Sequence, residues 1–363
     1  MRKHIFFTLS ISIAFNLSLF CQNVNFQNNA INKTLQFHLF DVESGLSNNY
    51  INSIEQDSLG FIWIATADGL NRYDGFKFVK YSDKNYSGLS NNNISQINYS
   101  AAYNALLIAT DKGLNKFTPK YEKFEPFCNQ NIITNEVINT FTLDKNNNLI
   151  VATLRHNEGL HFINKTGATQ SFTHTTSNLS ISDNEISSLV IQNDSILWIG
   201  TFHGGLNRMN YLTKKNTRLG YFDNQFSRSV NKVYIDKEDN VWIGSKDGIQ
   251  VITNKKDTLI LKASMTQEKG LSDNNVLSFQ EDDTGKMWIG TRNGGLNILD
   301  KKEFLSKNNK VLIKWFLPKS DGTSVYNRTI SCIKKDDKGN MWLGTSTGVN
   351  YVNPRGEAVK LLE

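Results

Sequence analysis

The side chains that could carry chemistry are scattered among short loops. The histidines beyond the N-terminal segment are His38, His156, His161, His174 and His203, and neighbouring ones do not have the spacing of metal ligands. His161 lies within a strand pattern, which favours a structural role. The sequence contains no Gly-x-Ser-x-Gly nucleophile motif, no phosphate-binding loop and no evident carboxylate pair. We therefore predict no catalytic residue, no metal and no cofactor.

A binding site is the better expectation, because the same loops mix amides, charges and an aromatic ring. Such groups provide the paired donors and acceptors that a polyhydroxylated ligand needs. For any single one of these residues, turn chemistry or plain solvation is the favoured explanation. The segment 154–159 and the pair Phe202–His203 depart most from their surroundings and are the strongest candidates. The full candidate set is Arg155, His156, Asn157, Glu158, Phe202, His203, Arg228, Lys246, Asp247, Arg292, Asn293 and Arg328.

The elements that must position these loops are seven copies of one short apolar strand. They read FIWIAT (61–66), ALLIAT (105–110), NLIVAT (148–153), ILWIGT (196–201), NVWIGS (240–245), KMWIGT (286–291) and NMWLGT (340–345). Their last residues are separated by 44, 43, 48, 44, 46 and 54 positions. This is the spacing of a four-stranded blade. The predicted fold is all-β, a seven-bladed β-propeller with antiparallel blades.

Other positions recur with the same regularity. Nine residues before the terminal Thr or Ser, an aspartate opens a polar hairpin at Asp57, Asp144, Asp236, Asp282 and Asp336. A glycine turn follows each apolar strand, and a Gly-Leu-Ser-Asn-Asn-like turn leads into the next repeat in several copies. Tryptophans occupy one position in five copies, and we interpret them as packing between adjacent blades: Trp63, Trp198, Trp242, Trp288 and Trp342.

The repeats define one domain over residues 35–363. Their approximate bounds are 45–87, 88–131, 132–178, 179–226, 227–269, 270–324 and 325–363. The segment 35–41 has the pattern of an outer strand and would complete the last blade from the N-terminus, which removes exposed sheet edges. The segment 358–363 is a competing outer strand, and the sequence does not decide between the two.

The N-terminus predicts export. Arg2 and Lys3 precede an apolar run from Ile5 to Phe20, which is the pattern of a signal peptide over 1–21, followed by a short lead at 22–34. The chain is therefore expected to be periplasmic or secreted, with no further membrane span. A lipid anchor at Cys21 is an alternative, although Phe20 is bulky for that processing. Cys128 and Cys332 fit small buried hydrophobes better than a disulfide.

Composition excludes some partners. The 363 residues carry 40 basic and 34 acidic side chains, a formal net charge of +6. Without Arg2 and Lys3 the balance is 38 against 34, or +4. There is no dense basic block with interleaved aromatics, so nucleic acid is not an expected partner.

The repeats resemble the two-component regulator propeller repeats of periplasmic sensor regions in hybrid histidine kinases of Bacteroidetes. The motifs that carry the resemblance are DSLGFIWIATADGLNRYDG, GLSNNYI, DDTGKMWIGTRNGGLNILD and KDDKGNMWLGTSTGVNYVN. The resemblance implies an oligosaccharide-sensing propeller with a sensor-kinase partner or a second propeller. The kinase motifs themselves are missing from these residues, so it implies no enzyme activity here.

Two alternatives remain open at this stage. The first is that the chain is a stand-alone secreted propeller that binds another protein, rather than a propeller from a sensor. A propeller lyase similar to streptogramin lyases is the other alternative, with His156, Glu158 and His203 as its acid–base set.

Overall fold

The computed structural model describes residues 35–127, 133, 135–154, 159–177, 179–219, 226–255, 258–306 and 311–355. The predicted signal peptide (1–21), the lead (22–34), Cys128, the loop residues 155–158 and the segment 358–363 lie outside the described residues. Among the described residues, no helix is long and apolar enough to span a bilayer.

Strands arranged in seven four-stranded antiparallel sheets dominate the described chain. Blade 1 contains β2 (Ile51–Gln56), β3 (Ile62–Thr66), β4 (Gly69–Tyr73) and β5 (Phe78–Tyr81). Blade 2 contains β6 (Ile94–Ser100), β7 (Ala105–Thr110), β8 (Gly113–Thr118) and β9 (Lys123–Pro126). Blade 3 contains β10 (Ile138–Leu143), β11 (Leu149–Thr153), β12 (Leu160–Ile163) and β13 (Thr169–Phe172).

The remaining blades follow the same order. Blade 4 contains β14 (Ile186–Gln192), β15 (Ile196–Thr201), β16 (Leu206–Asn210) and β17 (Lys215–Leu219). Blade 5 contains β18 (Val230–Ile235), β19 (Val241–Ser245), β20 (Gly248–Lys255) and β21 (Thr258–Met265). Blade 6 contains β22 (Val276–Glu281), β23 (Lys286–Thr291), β24 (Leu296–Asp300) and β25 (Ile313–Phe316). Blade 7 contains β26 (Ile330–Lys335), β27 (Met341–Thr345), β28 (Val349–Val352) and β1 (Phe37–Phe40). Helical structure in the described residues is limited to α1 (Lys301–Leu305) and two 3₁₀ turns, Pro119–Tyr121 and Gln267–Lys269.

The ring closes through the N-terminal strand. Strand β1 pairs antiparallel with β28, so that Phe37 lies opposite Val352 and Phe40 lies opposite Val349. The outer strand of blade 7 therefore comes from the opposite end of the chain to its other three strands. The predicted seven-bladed fold, with closure by the N-terminal strand, is confirmed.

The second strand of each blade is buried because it packs against sheets on both sides. In blade 6, Trp288 is 1% exposed and belongs to an apolar cluster with Ile330 and Leu343 of blade 7. Its indole N–H donates to Asp282 Oδ2 at 2.9 Å, and Asp282 Oδ1 accepts the backbone N–H groups of Thr284 and Lys286. The recurring aspartate thus shapes the hairpin and satisfies the buried indole at once.

The same pairing of an indole with a hairpin residue of its own blade recurs around the ring. Trp63, Trp242 and Trp342 donate to Asp57, Asp236 and Asp336 at 2.8–3.0 Å. In blade 4 a glutamine replaces the aspartate, and Trp198 donates to Gln192 Oε1 at 2.8 Å.

The inner strands are joined by side-chain hydrogen bonds around the ring. Each inner strand has a register shift after its first residue, and a nearby Asn or Ser side chain donates to the first backbone carbonyl of the next blade. The donors are Asn52, Ser95, Asn139, Ser187, Asn231, Ser278 and Ser331, with distances from 2.5 to 3.0 Å. Ser331 donates to Ile51, so this set of bonds also passes through the junction of blades 7 and 1.

A buried lysine joins blades 5 and 6 at the end where the aspartate hairpins lie. Lys301 Nζ contacts Glu281 Oε1 at 2.8 Å, Asp236 Oδ2 at 3.4 Å and also Glu238. Burial by itself would lower the pKa of Lys301, but the hydrogen bonds to Glu238 and Glu281 outweigh it and the pKa is raised. The cation and its carboxylates therefore form a structural cluster between the two blades.

Candidate ligand-binding face

The loops between second and third strands and the turns into each inner strand lie at the same end of the blades, here called the top face. In blade 1 the two loop types are tied together. The Ser47 N–H donates to Asn71 Oδ1 at 2.8 Å, and the Ser47 and Thr66 hydroxyls are 3.1 Å apart. Thr66 Oγ1 donates to the Gly69 carbonyl at 2.9 Å. The most regular residues of the repeat thus hold the loops and leave the intervening positions free to vary.

This serine–asparagine clamp recurs around the ring. The backbone N–H of the turn residue donates to the third-strand amide at 2.8–3.1 Å in the pairs Ser90–Asn115, Ser182–Asn207, Ser227–Gln250, Ser272–Asn297 and Tyr326–Asn350. The loops that could bind a ligand are therefore carried on a rigid support.

Blade 3 departs from the clamp, because His161 occupies the asparagine position. The ring is 1% exposed, and its Nδ1 lies 2.8 Å from Ser171 Oγ. Burial lowers the pKa of His161 to about 4, against a smaller opposing effect of Glu136. His161 is thus a buried neutral member of strand β12.

Among the residues predicted from sequence, Phe202 and His203 lie together on blade 4. Phe202 is half-buried, and its N–H donates to the Glu185 carbonyl at 2.9 Å. His203 is exposed, with Nε2 3.2 Å from Glu185 Oε2, and its N–H donates to Asp183 Oδ2 at 3.1 Å. This pair is therefore set among carboxylates. Its predicted neighbours Arg155, His156, Asn157 and Glu158 lie outside the described residues.

Lys246, Asp247, Arg292 and Asn293 lie on the equivalent loops of blades 5 and 6, and all four are exposed. The Asp247 carboxylate accepts the Ser227 hydroxyl at 2.6 Å, and the Asn293 N–H donates to Asp273 Oδ2 at 2.8 Å. Among the described residues, Lys246 and Arg292 form hydrogen bonds through their backbone and not through their side chains.

Arg228 and Arg328 lie in the turns that lead into blades 5 and 7. Their carbonyls accept the N–H groups of Gly205 and Gly295, each at 2.8 Å, which fixes their backbone while the side chains are exposed. Gly295 has φ +69°, and a Cβ there would lie 2.3 Å from the Phe316 carbonyl oxygen. The loop can therefore close this tightly only with glycine.

The structure separates charge across the top face. The described loops around the channel mouth in blades 1–4 carry Asp68, Asp111, Glu136, Asp183 and Glu185 against Lys112, with His203 beside them. Those of blades 5–7 carry Arg228, Lys246, Arg292 and Arg328 against Asp247 and Asp273. One side is acidic and the other basic.

Sequence reasoning missed Lys232, which lies on the inner strand of blade 5. The equivalent residues of the other blades are small or neutral: Ser53, Gln96, Thr140, Ser188, Ser278 and Cys332. The Lys232 side chain is accessible to solvent. The surrounding inner strands nevertheless desolvate its ammonium group, which lowers the pKa of Lys232, and Cys332 has a smaller effect in the opposite direction. Burial also raises the pKa of Cys332 to about 11. A comparison of the inner strands position by position is the signal that would have singled out Lys232.

Two grooves border the ring. One, of about 180 Å³, lies on the top face of blades 1 and 2 beside Asp68, Lys84 and Asn92. The other, of about 380 Å³, lies at the opposite end beside Leu59, Arg72 and Tyr99. Both are shallow, and only the first adjoins the loops described above. The described residues contain no group of three or more His, Cys, Asp or Glu side chains placed to hold a metal ion.

Seven antiparallel four-stranded sheets with polar loops at one end define the chain as a seven-bladed β-propeller. Residues 45–68, 270–293 and 327–347 match the family described as two component regulator propeller. The chain therefore carries two-component regulator propeller repeats, in blades 1, 6 and 7, and the resemblance predicted from the sequence is confirmed.

Two known proteins resemble the chain, one over a short stretch of sequence and the other in its fold. Histidine kinase P4 of Formosa agariphila is 40% identical over 65 residues, which is 18% of this chain and 4% of the kinase. The extracellular domain of the putative hybrid two component system BT3049 from B. thetaiotaomicron superposes with a TM-score of 0.73 at 23% identity. That match covers 88% of this chain and 42% of the solved one, so the chain spans less than half of its length.

A lyase shares the fold more distantly. A streptogramin B lyase has a TM-score of 0.63 at 10% identity, covering 88% of this chain and 98% of the lyase. At such identity the likeness concerns the fold alone.

Proposed function

We propose that this chain is the ligand-sensing propeller of a two-component signalling system and that it binds an oligosaccharide outside the cytoplasm. The observation that carries the proposal is the match of three blades to two-component regulator propeller repeats. The apolar N-terminal run supports export. The chain itself contributes recognition, while the signalling chemistry belongs to a partner.

The top face is the proposed binding surface. Its loops hold exposed amides, charges and Phe202 on clamped backbone, so that a ligand meets preformed donors and acceptors. Binding would act on a partner only through a difference in affinity between two arrangements of the propeller and that partner.

The test is a thermal-shift screen of the purified chain against a library of oligosaccharides. We expect saturable stabilisation by at least one saccharide, because a ligand that binds only the folded state raises its stability. Phe202→Ala and His203→Ala should reduce the shift. Phe76→Ala is the matched control, since Phe76 is 72% exposed in a turn at the opposite end of blade 1.

A cooperatively melting protein that no saccharide stabilises would reject sugar sensing in favour of a propeller that binds another protein. Equal loss of binding in Phe76→Ala and Phe202→Ala would place the site away from the top face.

A further inference from the structure

Four cations follow one another around the top face of blades 5–7. We call Arg228, Lys246, Arg292 and Arg328 the basic arc. Contacts connect its members: the Lys246 N–H donates to the carbonyl of Ser229, next to Arg228, at 3.3 Å. The Arg292 carbonyl accepts the hydroxyl of Thr329, next to Arg328, at 2.7 Å. The arc is therefore fixed by loop backbone, with flexible charged ends directed to solvent.

A polar bridge links the two halves of the arc. Asn231, one residue beyond the first residue of β18, donates to Asn275 Oδ1 at 2.9 Å. The carbonyl of Asn275 in turn accepts the Arg292 N–H at 2.9 Å. The inner strand of blade 5, which carries Asn231, is thus tied to Asn275, and Asn275 holds the backbone of Arg292 in blade 6.

Within the described residues, none of the four side chains forms an ion pair. The nearby carboxylates of Asp247 and Asp273 accept hydrogen bonds from Ser227 and Asn293. Elsewhere in the ring, cations such as Lys301 and Lys116 contact carboxylates directly. The arc therefore retains positive charge that its own surroundings do not pair.

Lys232 adds a cation in the channel at blade 5. No hydrogen bond or ion pair is formed by its ammonium among the described residues, and burial disfavours its charged form. An anion in the channel mouth would favour that charged form. Carboxylates on blades 1–4 repel the same anion, so the charge pattern directs it to blades 5–7.

Building on the proposed function, we propose that the ligand is an acidic oligosaccharide whose carboxylate or sulfate groups bind the basic arc. Arginine forks and lysine donors match these oxyanions through charge-assisted hydrogen bonds. The acidic half of the face would then receive the hydroxyls of the ligand, which can donate to carboxylates.

The experiment compares matched charged and neutral saccharides by isothermal titration calorimetry. The probes are an oligogalacturonate with its methyl ester, and a sulfated carrageenan oligosaccharide with its desulfated form. We expect binding by at least one charged member, weakened at least tenfold in its neutral form, and affinity that falls as NaCl is added. The two pairs distinguish carboxylate from sulfate.

Variants locate the interaction. Lys246→Gln and Arg292→Gln should each weaken the charged ligand by about tenfold or more, the effect of losing one charge-assisted hydrogen bond. Lys232→Met should weaken it without preventing folding. Lys77→Gln, at an exposed turn of the opposite face, should leave affinity unchanged.

Binding of neutral saccharides only, unaffected by Lys246→Gln and Arg292→Gln, would overturn the acidic-ligand assignment and leave sugar sensing intact. Equal weakening by Lys77→Gln would also overturn it, since the attraction would then be non-specific. Absence of binding by every saccharide, neutral or charged, would instead reject both proposals.

Discussion

Blades 5–7 and blades 2–3 have the same four-stranded architecture but differ in the residue that is buried at the tryptophan position of the second strand. Trp242, Trp288 and Trp342 each donate to the hairpin aspartate of their own blade. Blades 2 and 3 place Leu107 and Ile150 at the tryptophan position, both fully buried. The sheet therefore does not require the indole, since buried apolar volume at that position is enough to form a blade.

The two regions differ in a second way at the top face. Blades 5–7 carry the basic arc on short loops, whereas the two departures from the repeat that the sequence singled out lie in blades 3 and 4. The sequence analysis chose segment 154–159 and Phe202–His203 because they depart from the repeat. The charge pattern points to loops of ordinary length, because one or two residues after the clamped threonine or serine are enough to change the surface.

The largest effect should come from removing an indole in a regular blade. Trp288→Leu, which copies blade 2, should cost about 3–5 kcal/mol, because it leaves a cavity and takes a donor from Asp282. Urea denaturation measures the change in unfolding free energy. Trp315→Leu is the control, since Trp315 is 51% exposed and should lose much less. Similar losses in both would show that indole burial does not distinguish the regular blades.

A pH-dependent effect should arise from His161 in blade 3. The folded pKa of His161, about 4, lies below its ordinary value of 6.5, so the unfolded chain binds the proton more readily. The stability associated with neutral His161 is present above pH 6.5 and is lost as the pH falls towards 4, by up to about 3 kcal/mol. His161→Asn, which restores the residue of the other clamps, should flatten this part of the stability profile.

Unfolding free energies between pH 7 and 4.5 test this expectation. His203→Asn is the control, because that side chain is exposed and its replacement should leave the slope as in the parent. An unchanged slope in His161→Asn would mean that other groups set the acid sensitivity.

The smallest effect is expected in the basic arc. Arg292→Gln should change the unfolding free energy by no more than about 0.5 kcal/mol, because its exposed side chain has no ion pair in the described structure. The same thermal and urea measurements apply. A loss above about 1 kcal/mol would show that the arginine has a structural role.

Much of the fold was predictable because the residues that shape each blade lie close together in the sequence of its repeat. The tryptophan, the hairpin aspartate and the glycine turn act within one blade, over separations of a few residues, so local spacing reveals them. The buried cluster around Lys301 could not be predicted in this way. Its carboxylates come from residues 236, 238 and 281, and only packing of blade 5 on blade 6 unites them.

The candidate site was only partly predictable for the same reason. Arg228, Lys246, Arg292 and Arg328 could be chosen as loop residues, but their separation in sequence gives no sign that they adjoin. Lys232 was overlooked because an isolated lysine in a strand looks like a solvated side chain. The role of Lys232 as a cation of the channel follows only from its place on the inner strand of blade 5.

The sequence by itself determined the number of blades, their order and the aspartates that open five of the hairpins, because a propeller repeats short-range interactions. The tertiary structure decided that β1 completes blade 7 beside β28, where 358–363 was a competing strand on the sequence alone. It also decided which half of the top face is basic. Charge asymmetry is a property of the closed ring, since Coulomb interactions depend on distance in space and the ring brings loops from distant repeats together.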